Sequence, residues 1–366
     1  MNVVISNYDS LHNPYYGGGG AIAIHEVAKR LKRKHKVTIV YGKHPHSKNH
    51  TIDGVTYKHI GLSFLGPKFS QLMFLAILPI YVKIMHYDIW IESFTPPIST
   101  ALLPIFTKKP VIGLAHSLDG IDKSKEYNLP FHHIESFGLK RYKHFIVLTE
   151  SVKEKIRQIH PKSTISIIPN GVKMALKNPR IRAQHILFIG RIEMNHKGLD
   201  LLMEAYKKIS HKTELPLIIA GTGTNTNIQQ LKDVIKKLNL QKKVKLVGKV
   251  TGKKKDKLFR NAAFVVLPSR YDNQPLTAME AMSYGKPLVT YALEGLRWIP
   301  KECAIKAHPL NVDDYAVAML KLIKNPLLRR RMSAYSTKFA AKFDWDTLAE
   351  RYSKLINKIS KDASFT

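Results

Sequence analysis

The chain has 366 residues and a formal net charge of +32, from 59 Lys and Arg against 27 Asp and Glu. Domains usually hold about 100–200 residues, so two are expected. Hydrophobic residues at 44% and charged residues at 23% exclude a disordered chain, which lacks the apolar surface to offset ordering entropy. The lone cysteine, Cys303, excludes an intramolecular disulfide and a cysteine-cluster metal site, and it fits a reducing compartment.

The first residues, Met1–Ser6, are strand-like, with no basic stretch leading into an apolar one, so no signal peptide is expected. Val3–Ser6 reads as a strand, followed by a loop carrying Gly17, Gly18, Gly19 and Gly20. Ala21–His35 reads as a helix, with Ile24, Val27, Ala28 and Leu31 at helical spacing. Val37–Tyr41 is a second strand. The apolar run Leu72–Val82 falls short of the ~20 residues that cross a bilayer, and Pro79 interrupts it. It reads as a buried helix, with a membrane-surface helix as the alternative. Ile89–Glu92, Val111–Ala115, Phe145–Leu148 and Ile165–Pro169 follow as strands.

Lys173–Gln184 has no clear periodicity and is rich in Lys, Arg and Pro, so it reads as a linker. The alternation then restarts. Strands are expected at Ile186–Ile189, Leu217–Ala220, Val244–Val247, Phe264–Leu267 and Pro287–Thr290. Helices are expected at Gly198–Ser210, Ile228–Leu238, Lys253–Asn261 and Thr277–Tyr284. Parallel strands need crossover connections, so this alternation implies two parallel α/β sheets.

The excess charge is spread over both halves. Residues 1–172 carry 22 basic and 11 acidic side chains, and residues 173–366 carry 37 and 16. The clusters Lys29–Lys36, Lys253–Lys257 and Arg329–Arg331 read as solvated helix faces, with an anionic membrane surface as the next reading. They are not interleaved with aromatic residues as a base-stacking platform would be, so no nucleic-acid partner is expected.

Ligands of open α/β sheets bind beyond the carboxyl ends of the strands. The four-glycine loop lies there, but it is not a dinucleotide fingerprint, and Val40-Tyr41-Gly42 ends the second strand without an acidic residue for a ribose. Gly190-Arg191 follows a strand and Lys197-Gly198 opens a helix, so two cations stand where a diphosphate could bind. Asp272 and Glu280 lie in the loop and helix of the block Leu267–Val289, with carboxylates suited to sugar hydroxyls.

These residues carry a resemblance. The second half is similar to the donor-binding domain of glycosyltransferase family 4, retaining transferases of GT-B architecture. The matching features are Gly190-Arg191, Lys197–Leu202, Gly221 and Gly223, Val244–Gly248, and Pro268–Val289, which resembles the family's paired-carboxylate motif with Asp272 in place of the first Glu. The first half matches through the glycine loop, Ala115-His116-Ser117, Leu148–Ser151 and Ile168–Val172. The resemblance implies two Rossmann-like domains facing across a cleft. Residues 1–172 would take the acceptor and residues 173–366 the donor, with a final helix at about 346–360 crossing back to the first domain.

The same resemblance implies the residue roles. Arg191 and Lys197 would bind and stabilise the leaving diphosphate, and Asp272 and His116 would face the transferred sugar. Gly19 and Gly20 would lie against the donor phosphates. Gly221, Gly223 and Val250 would border the nucleotide, Asn273, Gln274, Pro275, Leu276 and Thr277 would contact sugar and phosphate, and Glu280 would hold the ribose. The expected donor is a UDP-hexose, with GDP-mannose as the alternative, and the expected acceptor is a glycan, glycolipid or lipid-linked sugar of envelope synthesis. No cofactor or metal is expected, and Asp344-Trp345-Asp346 reads as a helix cap rather than a metal motif. The expected location is the cytoplasm or the cytoplasmic face of a membrane. The alternatives are a nucleotide-sugar 2-epimerase or phosphorylase of the same architecture, and a non-catalytic basic binding protein.

Overall fold

A computed structural model of the chain describes residues 1–364 except 12, 14–17, 46, 65, 95–98, 119 and 176–182. Gly17 and most of the expected linker lie outside the described residues. The chain divides into two compact units, Met1–Asn170 with Trp345–Thr366, and Gly171–Asp344.

Among the described residues, the first unit holds one eight-stranded sheet. Its strands are β1 (Asn2–Asn7), β2 (Lys36–Gly42), β3 (His50–Ile52), β4 (Val55–Ile60), β5 (Ile89–Ser93), β6 (Val111–Ala115), β7 (His144–Val147) and β8 (Thr164–Ile167). The order is β3-β4-β2-β1-β5-β6-β7-β8, and every pair is parallel except β3 with β4. The hairpin β3–β4 is absent from the sequence expectations. Its turn is Asp53-Gly54, with φ of +50° and +71°. Two successive left-handed residues suit the right-handed twist of a tight hairpin, and Asp-Gly is the residue pair that accommodates them.

The strand order changes direction at β1, with β2 on one side and β5 on the other. The helix Gly19–Leu31 follows β1 and buries Ile24, Val27, Ala28 and Leu31. The apolar run expected at Leu72–Val82 belongs to a longer helix, Gly66–Ile84, which continues through Pro79. Phe74, Leu75, Leu78 and Val82 are buried in the core with Trp90 and Phe145, while Leu72, Ile80 and Ile84 are exposed. Burying one such side chain contributes ~1.5–3 kcal/mol, which offsets the hydrogen bond lost at the proline.

The terminal helix, Trp345–Ser364, belongs to the first unit. The basic run Lys29–Lys36, expected as a solvated face, turns toward it. Arg33 donates to Asp346 at 2.7 Å, Lys34 to Glu350 at 2.7 Å, and His35 Nε2 lies 2.9 Å from Ser353 Oγ. Asp346 therefore serves as an ion-pair partner in the helix's first turn, and Asp344 directly precedes the helix.

Glu92, at the end of β5, is fully buried. It accepts from Ala101 N–H at 2.5 Å, from Thr100 at 3.1 Å and from the Tyr142 hydroxyl. Burial outweighs these bonds and pushes its carboxyl up to about 7. The native state therefore holds this proton where the unfolded chain has lost it, and the associated stability, full below the ordinary value of 4.5, is lost as pH rises through about 7. Glu92→Gln is expected to gain thermal midpoint on the parent between about pH 5 and about pH 8. A gap that is constant or shrinks over that range contradicts the buried-carboxyl account.

Among the described residues, the second unit holds a six-stranded parallel sheet. It comprises β9 (His185–Ile189), β10 (Leu217–Ala220), β11 (Val244–Leu246), β12 (Ala262–Leu267), β13 (Leu288–Tyr291) and β14 (Ala304–Ala307), in the order β11-β10-β9-β12-β13-β14. Order reverses between β9 and β12. Phe188, Leu202, Met203, Tyr206 and Phe264 fill one face, and Leu187, Phe259, Val265, Met279 and Met282 the other. Beyond the expected elements lie β14 and the helices Val312–Lys324 and Pro326–Ala340. Arg329 donates to the carbonyls of Leu322 and Ile323, at the end of the first of these helices.

Candidate active site

The reversal between β9 and β12 gathers polar residues at the carboxyl ends of these strands. The loop after β9 and the loop after β12 are tied together. Arg270 N–H donates to His196 O at 3.0 Å, and the Arg270 guanidinium takes both oxygens of Asp200 at 2.8 and 2.6 Å. Thr277 Oγ1 donates to Ile189 O at 3.1 Å, and Trp298 Nε1 to Asn273 O at 2.7 Å.

Within this frame Lys197 Nζ donates to Asp272 Oδ2 at 2.9 Å. The two side chains are 19% and 17% exposed, so the pair is screened far less than a surface pair. An ammonium carries three donors, and Asp272 engages one of them. Arg191, directly after β9 and its following glycine, is half-exposed and holds Glu193 through Nε at 3.0 Å. The His196 ring, whose Nδ1 lies 3.6 Å from Glu193 Oε2, and the charges of Arg191 and Lys197 outweigh burial and hold the Glu193 carboxyl down at about 2. His196 stacks on Tyr271 at 4.1 Å. Glu193, His196 and Tyr271 were not singled out from the sequence, although two of them stand between Arg191 and Lys197.

Gly221 and Gly223 follow β10. A Cβ on Gly221, whose φ is +149°, would stand 1.8 Å from Gly190 O, and one on Gly223 would stand 2.1 Å from Ile192 O. Packing of the β10 loop against the Arg191 loop already requires both glycines. Gly221 N–H donates to Gly248 O at 2.8 Å, and Val250 packs half-buried against the core below β9 and β12. Gln274 is buried, Pro275 is the extended residue before the helix Leu276–Ser283, and Leu276 and Thr277 form its first turn.

Glu280 lies on that helix, and Lys255 Nζ reaches its Oε1 at 2.5 Å. The expected solvated cluster Lys253–Lys257 thus places one lysine on a candidate ligand-binding carboxylate. If Glu280 holds a ribose, Glu280→Gln is expected to weaken nucleotide-sugar affinity ~10-fold with turnover at saturation little changed. Titration and saturation kinetics on one preparation check it, and a loss confined to turnover contradicts it.

In the first unit, Gly19 and Gly20 open the helix Gly19–Leu31, and Gly18 N–H donates to Asp9 Oδ2 at 2.7 Å. His116 follows β6 and faces Gly20, whose Cβ position would be 3.7 Å from His116 Nε2. Burial lowers the imidazole to about 4, so it is neutral at neutral pH, and its Nε2 has no hydrogen-bond partner among the described residues. A buried ring nitrogen without a partner is uncommon in a folded protein.

Two parallel Rossmann-like units with polar residues collected at their strand ends define the GT-B class. Sucrose-phosphate synthase from Thermosynechococcus elongatus shares this fold with a TM-score of 0.83, at 17% identity, over 98% of this chain and 99% of that one. The Anabaena protein HepE, solved in complex with UDP-glucose, shares it with a TM-score of 0.77, at 15% identity, over 98% and 100%. Two family models match in succession, Glycosyltransferase Family 4 over residues 17–176 and Glycosyl transferases group 1 over residues 177–339. The chain belongs to glycosyltransferase family 4. Mannosylfructose-phosphate synthase of Agrobacterium fabrum is 30% identical over 233 residues, 61% of this chain and 49% of that protein. The matches span about half the length of the curated relatives.

Proposed function

We propose that the protein transfers a hexose-type sugar from a nucleotide diphosphate donor to a hydroxyl of a glycan, glycolipid or lipid-linked acceptor, with retention at the anomeric carbon. The observation that carries this reading is the Lys197–Asp272 pair beside Arg191 at the sheet reversal. Arg191 and the remaining Lys197 donors would take the diphosphate and offset the charge that develops as it leaves. The first-turn N–H groups of the helix Leu276–Ser283 add a positive dipole end.

Asp272, neutralised by Lys197, would hold a sugar hydroxyl rather than act as nucleophile. The acceptor oxygen forms its bond to the anomeric carbon on the face from which the diphosphate departs. The bond from that carbon to the phosphate oxygen breaks, and the departing phosphate takes the acceptor's proton. His116, kept neutral by burial, would offer its unpartnered nitrogen to a hydroxyl of the transferred sugar. Gly19 and Gly20 would admit the phosphates, and Glu280 would bind the ribose. In this reading the two cations do the work of a metal ion, and none is required. A UDP-sugar is favoured, supported by the UDP-glucose complex of HepE.

A thermal-shift panel of nucleotide sugars tests the donor, because a ligand that binds only the native state raises the midpoint. A UDP-hexose is expected to give the largest shift, followed by acceptor-dependent release of UDP. Release of a 2-epimerised sugar, or cleavage that depends on phosphate, supports the alternative reactions and overturns this one.

A peripheral position on an anionic membrane face in the cytoplasm is a second part of the proposal. It is favoured by the helix Gly66–Ile84, which is long and apolar enough to cross a membrane by length and composition and leaves Leu72, Ile80 and Ile84 exposed. Co-sedimentation with anionic vesicles that falls in a Leu72→Ser/Ile80→Ser variant is the expected result. Equal sedimentation of parent and variant contradicts it.

A further inference from the structure

The first unit contains a cavity of about 250 Å³ that the donor chemistry does not use. Its described lining includes Ser10 after β1, Tyr41 and His44 at the end of β2, Lys48, and His50, Tyr57 and His59 of the hairpin β3–β4. Strand register explains why these residues meet. Tyr41 of β2 is the partner of His59 in β4, and Tyr57 is the partner of His50 in β3. Side chains two apart on a strand share a face, so Tyr41, Tyr57, His59 and His50 line one side of the sheet edge. The cavity lies at the carboxyl ends of β1, β2 and β4, where open α/β sheets receive ligands.

Its walls are flat rings. His50 stacks on Tyr57 at 4.8 Å with an interplanar angle of 11°, and Tyr57 stacks on Tyr41 at 5.7 Å and 20°. The polar atoms are largely fixed in roles. His44 Nδ1 donates to Pro45 O at 2.9 Å, and its Nε2 lies 3.2 Å from Ser10 Oγ. Tyr57 OH bonds His25 Nδ1. The Tyr41 hydroxyl differs. It is buried, it has no hydrogen-bond partner among the described residues, and burial raises its pKa so that it remains a donor. A buried hydroxyl without a partner costs about 1–3 kcal/mol, which a ligand oxygen would relieve. Lys48 is the one fixed charge among the described lining residues.

Resting on the glycosyltransferase reading, we infer that this cavity is the acceptor's recognition pocket and takes one neutral polyhydroxylated six-membered ring, a pyranose or a cyclitol. The apolar face of such a ring packs against the side that this aromatic stack turns to the cavity, and one of its hydroxyls accepts from Tyr41. The volume, about 250 Å³, lies just below the roughly 300–1,000 Å³ of ligand sites, so it fits a single ring rather than a chain.

Saturation-transfer NMR on the full chain tests this with methyl glycosides of glucose, galactose and mannose, N-acetylglucosamine and myo-inositol as probes. At least one probe is expected to bind, and its affinity to fall ~10-fold in both Tyr41→Phe and His50→Ala. The thermal midpoint of Tyr41→Phe should equal or exceed the parent's, because the hydroxyl removed has no partner. Which probe binds separates a glycan acceptor from a cyclitol headgroup. Absence of binding by every probe, or undiminished binding in the two variants, overturns the inference. UDP titrated into the same parent protein reports the donor reading separately. GDP is titrated beside it: ring binding without binding of either nucleotide sinks the transferase reading and leaves a sugar pocket with no acceptor role, and nucleotide binding without ring binding sinks the pocket alone.

Discussion

Lys197→Ala is expected to lower sugar transfer ~10²–10³-fold, the usual loss when one preorganised donor to a developing anion is removed. Arg191→Ala should act through the same phosphate oxygens, so the double variant should lose less than the product of the two single losses. Lys197 also neutralises Asp272 at 2.9 Å, and its removal strands a carboxylate that is 17% exposed. Part of the loss could therefore arise from a displaced loop. Lys197→Ala/Asp272→Asn separates the causes, since it removes the stranded charge without restoring the cation. If the paired variant matches Asp272→Asn alone, Lys197 acts by positioning the loop; if it falls a further ~10²-fold below Asp272→Asn with an unchanged thermal midpoint, the cation acts on the donor.

Gly221→Ala is expected to be the most destabilising single substitution at the site. The backbone conformation at φ +149° belongs to glycine, and the added Cβ would meet Gly190 O at 1.8 Å. Strain of ~1–3 kcal/mol and overpacking of a similar ~1–3 kcal/mol combine. At ~2–4 °C per kcal/mol for a unit of this size, the midpoint should fall by roughly 4–24 °C. Gly248→Ala is the control. Its φ is +68°, and nothing lies within 4 Å of the added atom, so only the left-handed penalty of ~1–2 kcal/mol applies. Equal losses in the two variants would contradict the close approach of the β10 and β9 loops.

The parallel α/β class was legible because buried strands such as Val3–Ser6 and Phe264–Leu267 form short apolar runs separated by helix-period segments. Arg191, Lys197, Asp272 and Glu280 were legible because each stands at a fixed offset from such a strand. Their partners were not. Lys255 reaches Glu280 across 25 positions, and no local pattern marks which lysine of a basic run will do so. The run Lys29–Lys36 looked solvated for the same reason, since the acidic partners of Arg33 and Lys34 lie more than 300 positions away. The hairpin β3–β4 was different. Its Asp53-Gly54 signal was present, but two short strands rich in His, Thr and Tyr lack the apolar run that marks the buried strands. That hairpin supplies three of the rings around the inferred acceptor pocket.

Calorimetric titration of UDP-glucose into the parent and into Arg191→Ala/Lys197→Ala tests the central claim most directly, that the second unit holds a nucleotide diphosphate sugar through these two cations. The account predicts saturable one-to-one binding by the parent and a loss of at least ~100-fold in the variant, two charge-assisted contacts at ~1.5–3 kcal/mol each. Equal binding by parent and variant would contradict it.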